Sequence, residues 1–198
     1  MPEITDITPQ VKDKERCNIY VDGRFYCGLK LETAIKNRLK AGEHVDLARL
    51  DEIQLENEKS EALDKAMTHL SVSMKTKKQM RDFLKKKGYV QAVADFVVAK
   101  LEDYGFLDDA EYCRQYLSFA GKNKGRLLLK AELKKRGADE SCIEAALETL
   151  SGEEESARAV LDKYMKNREF TKENLYKAFR HLLSRGFGYD AAKSALSS

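Results

Sequence analysis

Proline is almost missing from this chain: its 198 residues hold two, Pro2 and Pro9. Beyond Pro9 no residue has the locked φ and absent N–H that break a helix, so helix is the leading expectation there. Long apolar runs are absent too. None approaches the ~18 residues of a membrane span, and the opening MPEITDITPQ has no apolar core, which excludes a secretory signal there. A cytoplasmic protein is expected. Cysteine is sparse, at Cys17, Cys27, Cys113 and Cys142, with no C-x-x-C pair, which argues against zinc or thioredoxin-like chemistry. A two-residue hairpin about Asp22-Gly23 sets Cys27 opposite Asn18 and Cys17 opposite Gly28, on different faces. Four reduced cysteines are therefore expected.

Catalytic groupings are also lacking. His44, His69 and His181 stand in unrelated contexts, with no acid-rich or cysteine partner at ligand spacing. The run Gly121 to Arg126, GKNKGR, lacks the G-K-[ST] ending and preceding apolar strand of a phosphate loop. No G-x-G-x-x-G or G-x-S-x-G occurs. Asp108-Asp109 falls at an inter-helix turn, where carboxylates cap helix N-termini. The expectation is a non-enzymatic protein with no cofactor and no metal.

What is present begins with a small β element. In Cys17 to Gly28, CNIYVDGRFYCG, aromatic and β-branched residues flank Asp-Gly, a hairpin signal. A helix from Glu32 to Lys40 is expected next, with Leu31, Ala34, Ile35 and Leu39 on one side and Gly42 ending it. Asp46 is placed to cap another helix starting near Leu47. Residues 1–56 read as an N-terminal hairpin-and-helix module.

The remainder repeats. KKKGYVQAVADFVVAKL, KKRGADESCIEAALETL and LSRGFGYDAAKSALSS carry Gly88, Gly137 and Gly186, whose spacings are 137 − 88 = 49 and 186 − 137 = 49. Four residues before each glycine stand Leu84, Leu133 and Leu182; ten after stand Val98, Leu147 and Leu196. Steps of three and four between such positions mark amphipathic helices. Each unit reads as helix, helix, glycine-ended turn, helix, the glycine supplying a left-handed residue. Thr76 with Gln79 resembles a capping box. The expected fold is mainly α: an elongated tandem array of three three-helix repeats, at 57–107, 108–152 and 153–198, after the N-terminal module.

Net charge is only +3, yet the charges are segregated. Seven lysines and arginines face one acid between Val72 and Gly88, and again between Lys122 and Arg136. The third helices carry the compensating acids, among them Asp95, Glu102, Asp139, Glu140 and Glu144. Lys78, Arg81 and Lys85 share one side of a helix at ~100° per residue. Lys130 and Lys134 are the counterparts of Arg81 and Lys85, whereas the third unit has Phe179 and Leu183 there. Repetition of a basic stripe in two units points to an acidic partner surface, nucleic-acid phosphate or protein carboxylate. The candidate partner- or DNA-binding residues are Lys75, Lys78, Arg81, Lys85, Lys124, Arg126, Lys130 and Lys134.

Leu101 to Cys113, LEDYGFLDDAEYC, is similar to the L-x-x-x-G-[YF]-L-[DN]-D-x-x-[YF]-[AC] element of the RecX family, regulators of the RecA recombinase. Lys124-Gly125 followed by L-x-x-x-L and K-[KR]-G through Gly137 adds to the resemblance. Ser73 to Gly88 resembles the family's arginine-threonine motif and the helix after it, with Lys75 for the usual arginine, Met80 for leucine, and Gln79 where an acid is common. The resemblance implies three tandem three-helix modules. It also implies binding in the groove of the RecA filament on single-stranded DNA, with inhibition of filament extension, ATP hydrolysis and strand exchange, and in some members direct DNA contact. A monomer is expected. The alternative is a helix-turn-helix protein that binds DNA without recombinase, although three tandem units lack the dimerisation helix of a palindrome-binding repressor. A scaffold unrelated to nucleic acid would leave the charge segregation unexplained.

Overall fold

Asp22 and Gly23 turn the chain with φ of +48° and +76°. They join β2 (Arg16–Val21) antiparallel to β3 (Arg24–Lys30). The computed structural model, which describes residues 1–197, adds a strand to this hairpin. β1 (Ile4–Pro9) pairs with the other edge of β2, giving the order β1-β2-β3.

The hairpin register corrects one expectation. Tyr20 pairs with Phe25 but Ile19 pairs with Cys27, which leaves Tyr26 as an extra residue in β3. A bulge of this kind shifts the side-chain alternation by one. Cys17 and Cys27 consequently lie together in one buried cluster with Ile19, Val21 and Leu29, not on different faces. Both are free thiols. Burial, with the neighbouring Cys17 and Asp51 charges, pushes the Cys27 thiol up to about 11.

α1 (Leu31–Lys36) is shorter than the expected Glu32–Lys40 helix. Arg38 takes a left-handed φ of +53°, and the Leu39 amide turns back to the Ala34 carbonyl at 3.1 Å. With the helix ended there, Ala34 is buried but Ile35 is 67% exposed. α2 (Leu47–Val72) begins where Asp46 accepts the Ala48 amide at 3.1 Å, as expected of a cap. It then runs unbroken for 26 residues, through the 56/57 border drawn from sequence. Buried Asn57 on α2 accepts the Lys30 amide at 2.8 Å, tying the helix to the end of β3.

The helices that follow are α3 (Lys77–Lys86), α4 (Gln91–Asp103), α5 (Asp109–Ala120), α6 (Arg126–Arg136), α7 (Glu140–Glu148), α8 (Glu153–Met165), α9 (Lys172–Ser184) and α10 (Tyr189–Ser197). A 3-10 turn, Gly121–Asn123, separates α5 from α6. No strand follows Lys30 among the described residues. Gly88, Gly137 and Gly186 all adopt the left-handed conformation, at φ of +93°, +76° and +85°. The fold is mainly helical and tandem, after a small sheet-and-helix module. Ser198, last residue of the expected third repeat, lies outside the described residues.

The chain divides into two compact units: Met1–Val72 with Leu84–Lys100, and residues 73–83 with 101–197. In the first, the sheet, α1 and the start of α2 share a core of Ile4, Ile19, Leu29, Leu50 and neighbours. Lys59 on α2 lies 4.7 Å over the Phe96 ring of α4, and Lys65 donates to Tyr89 at 2.8 Å. In the second, α5 to α7 enclose Cys113, Leu129, Leu133 and Ile143, and α8 to α10 enclose Ala157, Ala178, Leu182 and Phe187.

Candidate partner-binding face

The basic helices are held by capping at their ends. Thr76 and Gln79 form the reciprocal box: the Thr76 amide donates to Gln79 Oε1 at 3.0 Å, and the Gln79 amide to Thr76 Oγ1 at 3.1 Å. The same Thr76 hydroxyl donates to the carbonyl of Arg136, at the end of α6, at 2.8 Å. One side chain thus serves a helix start and a helix end that would otherwise hold unmatched groups.

The acidic pair also caps. Asp108 accepts the Ala110 and Glu111 amides at 2.8 and 3.1 Å, starting α5. Asp109, only 1% exposed, accepts the Lys77 amide at 2.9 Å and the Asp139 amide at 3.1 Å. Its carboxylate therefore closes the N-termini of α3 and α7 together, where negative charge is favoured. Lys77 pairs with Glu102 at 2.5 Å, and that hydrogen bond holds its ammonium above the usual lysine range.

The structure distributes the basic residues unevenly. Lys75 donates to the Ser73 carbonyl at 3.0 Å, next to the α3 start. Lys78 is exposed, but its stem lies against Gly137, where an added Cβ would overlap it. Arg81 is partly buried and Lys85 exposed. In the next repeat the counterparts are already engaged: Lys130 pairs with Glu144, and Lys134 with Glu140 at 2.5 Å. These are the third-helix acids, so the segregated charges meet across α6 and α7. Arg126 is bound at three points, its amide to Glu153 at 3.0 Å, its Nε to the same carboxylate at 3.5 Å, and its guanidinium to the Leu150 carbonyl. Lys124 is held by both Glu132 oxygens at 2.6 and 2.7 Å.

A second grouping escaped the sequence reading. Lys78, Asp82, Tyr116, Lys124, Glu132, Lys135 and Arg136 line one hollow between the α3 start and α5–α6. Arg136 lies 4.8 Å over the Tyr116 ring and donates to the Tyr112 hydroxyl at 3.1 Å. Tyr116 in turn donates to Glu132 at 2.5 Å. Burial opposes ionisation of Glu132, but the bonds from Lys124 and Tyr116 hold its carboxyl below the usual range. Tyr112 belongs to the LEDYGFLDDAEYC element, but nothing in the spacing of Tyr112 and Tyr116 announces the Arg136 contact.

Fold and face together define a class: a tandem three-helix protein whose ordered charges sit at helix junctions. Comparison with known proteins specifies the family. The Regulatory protein RecX N-terminal domain matches residues 2–46, the first RecX three-helix domain residues 62–101, and the second residues 108–147. The chain is 33% identical to regulatory protein RecX of Bacillus subtilis, covering 99% of this chain and 76% of that protein. It is 32% identical to the Bacillus licheniformis protein, with 99% and 77% covered, and 28% identical to one from Clostridium botulinum, with 99% and 95% covered. A crystal structure of regulatory protein RecX superposes with a TM-score of 0.74 at 22% identity over 100% of both chains. One of RecX from Lactobacillus salivarius gives 0.65 at 23% identity, over 71% of this chain and 95% of that one. The chain belongs to the RecX family of regulatory proteins. No helix among the described residues is long and apolar enough to cross a membrane.

Proposed function

We propose that this protein acts in the cytoplasm as a monomer, binding the RecA filament on single-stranded DNA and inhibiting its extension, ATP hydrolysis and strand exchange. It does so without catalysis or cofactor. The observation that carries the reading is similarity to proteins named regulatory protein RecX along 99% of the chain. Its working parts are the module at 1–56 and the repeats at 57–107, 108–152 and 153–198.

The face offered to the filament comprises Lys75, Lys78, Arg81, Lys85, Lys124, Arg126, Lys130 and Lys134. Exposed ion pairs such as Lys130–Glu144 and Lys134–Glu140 are screened by solvent, so an acidic partner exchanges them at little cost. Arg126, tied to α8 and to the end of α7, serves mainly the fold. The test is RecA strand exchange with the parent and with an Arg81→Gln, Lys85→Gln, Lys130→Gln, Lys134→Gln variant. Glutamine is preferred to reversal because new carboxylates at 130 and 134 would repel Glu144 and Glu140. The variant is expected to keep its circular dichroism and to need about tenfold more protein for equal inhibition, the equivalent of ~1.4 kcal/mol. A parent that leaves strand exchange and ATP hydrolysis untouched ends the proposal. Tight binding to one duplex sequence without recombinase would favour the helix-turn-helix alternative.

A further inference from the structure

The basic hollow between the α3 start and α5–α6 differs from a solvated lysine face in how its cations are held. Lys78 lies with its stem on Gly137, and Arg136 is fixed by the Tyr116 ring and the Tyr112 hydroxyl. The Thr76 hydroxyl on the Arg136 carbonyl locks the backbone that carries both contacts. Of the two acids, Glu132 is occupied by Lys124 and Tyr116. Lys78 and Lys135 make no ion pair among the described residues.

We infer that this hollow binds a phosphodiester group of single-stranded DNA, with Lys78 on one wall and Lys135 and Arg136 on the other. Donors converge from two helices, which suits the tetrahedral oxygens of a phosphate; a carboxylate presents its two oxygens in one plane. Four cations against two carboxylates leave two positive charges, enough for the single charge of a phosphodiester. The second repeat junction supplies an internal contrast. Counting 49 residues on, Lys78, Tyr116, Lys124, Lys135 and Arg136 become Leu127, Met165, Glu173, Ser184 and Arg185. Only one cation survives there, so the hollow belongs to one junction and is no automatic product of the repeat. The choice of nucleic acid over other phosphates rests on the recombination reading above.

The experiment measures binding of a labelled oligothymidylate to the full chain, without recombinase, between about 50 and 200 mM salt. Lys78→Met with Lys135→Met removes two charges while keeping a stem over Gly137. Affinity should fall at least tenfold, and the salt slope should drop by about 0.7, the value for one lost phosphate contact on a single strand. Lys172→Met with Lys177→Met, on α9 and outside the basic face, should change both far less. Should the double variant melt early, Lys135→Met alone, at an exposed site, is expected to lower the slope by about half as much. Three results overturn the inference. They are failure of the parent to bind the oligomer, parental binding by the hollow variants, and loss of filament inhibition by those variants with oligomer binding intact, which would assign the hollow to protein carboxylates. Oligomer binding through the hollow by a parent that does not inhibit strand exchange would keep this site and reject the proposed function.

Discussion

The junction between α3 and α6 and the junction between α6 and α9 solve the same problem with different atoms. In the first, the Thr76 hydroxyl reaches the Arg136 carbonyl, and the Asp109 carboxylate takes the Lys77 amide. In the second, Gly125 stands where Thr76 would be, and its own amide reaches the Arg185 carbonyl at 2.9 Å. The Leu127 amide adds a bond to the Gly186 carbonyl at 3.1 Å, and Glu153 takes the Arg126 amide at 3.0 Å. In both, the first residue of the following helix, Asp109 of α5 or Glu153 of α8, caps the preceding basic helix. What differs is the closeness of approach. A hydroxyl bridges the wider gap, and the absence of a side chain permits backbone on backbone.

This contrast can be broken most severely at Gly125. A Cβ there would overlap the Gly186 carbonyl and the Phe187 amide, which are backbone and cannot rotate away. Gly125→Ala should lose about 3 kcal/mol in urea melts, the upper range for overpacking. Gly88 serves as the control, since a Cβ there meets nothing within 4 Å. Gly88→Ala should cost only the left-handed backbone penalty, about 1 kcal/mol. Equal losses at the two glycines would remove close approach from the account.

Asp109→Asn probes the other junction. An amide group keeps one acceptor oxygen but cannot satisfy both the Lys77 and Asp139 amides, and it removes charge from two helix N-termini. One buried N–H is orphaned, so about 2 kcal/mol should be lost. An unchanged melt would show that the first junction does not depend on its carboxylate.

The smallest effect separates the two repeats by pH. Glu132 of the second repeat corresponds to His181 of the third, at 181 − 132 = 49. His181 stacks on Tyr164 at 4.6 Å. Burial, then the Arg185 and Arg168 charges, hold its imidazole below the usual 6.5. As pH falls through 6.5 the unfolded chain therefore takes up this proton first, and stability should decline by less than about 1 kcal/mol. His181→Gln should flatten that part of the pH–stability curve. A decline that persists in the variant assigns it to another group.

The helices and their turns were legible because they depend on neighbours in sequence. The spaced glycines, the Thr76–Gln79 box and the Asp46 cap each involve residues within a few positions. β1 was missed because it gains its identity only by pairing with β2, and its ends at Pro9 and Ile4 carry no strong alternation. The Cys17 and Cys27 placement failed through the bulge at Tyr26, which no local rule announces. The cations of the stripe were found, but their pairing with Glu140 and Glu144 needed the α6–α7 packing. The hollow remained hidden for the same reason: Lys78, Tyr116 and Arg136 meet only once the Thr76–Arg136 junction has formed.

Asp109 has a consequence for motion. The Lys77 and Asp139 amides are far apart in sequence yet share one acceptor. When that carboxylate swings away, both are released in the same event. Opening of the α3 start and of the α7 start should therefore be one kinetic process, with a common rate. The starts of α3 and α7 would open at a single frequency, set by one side chain.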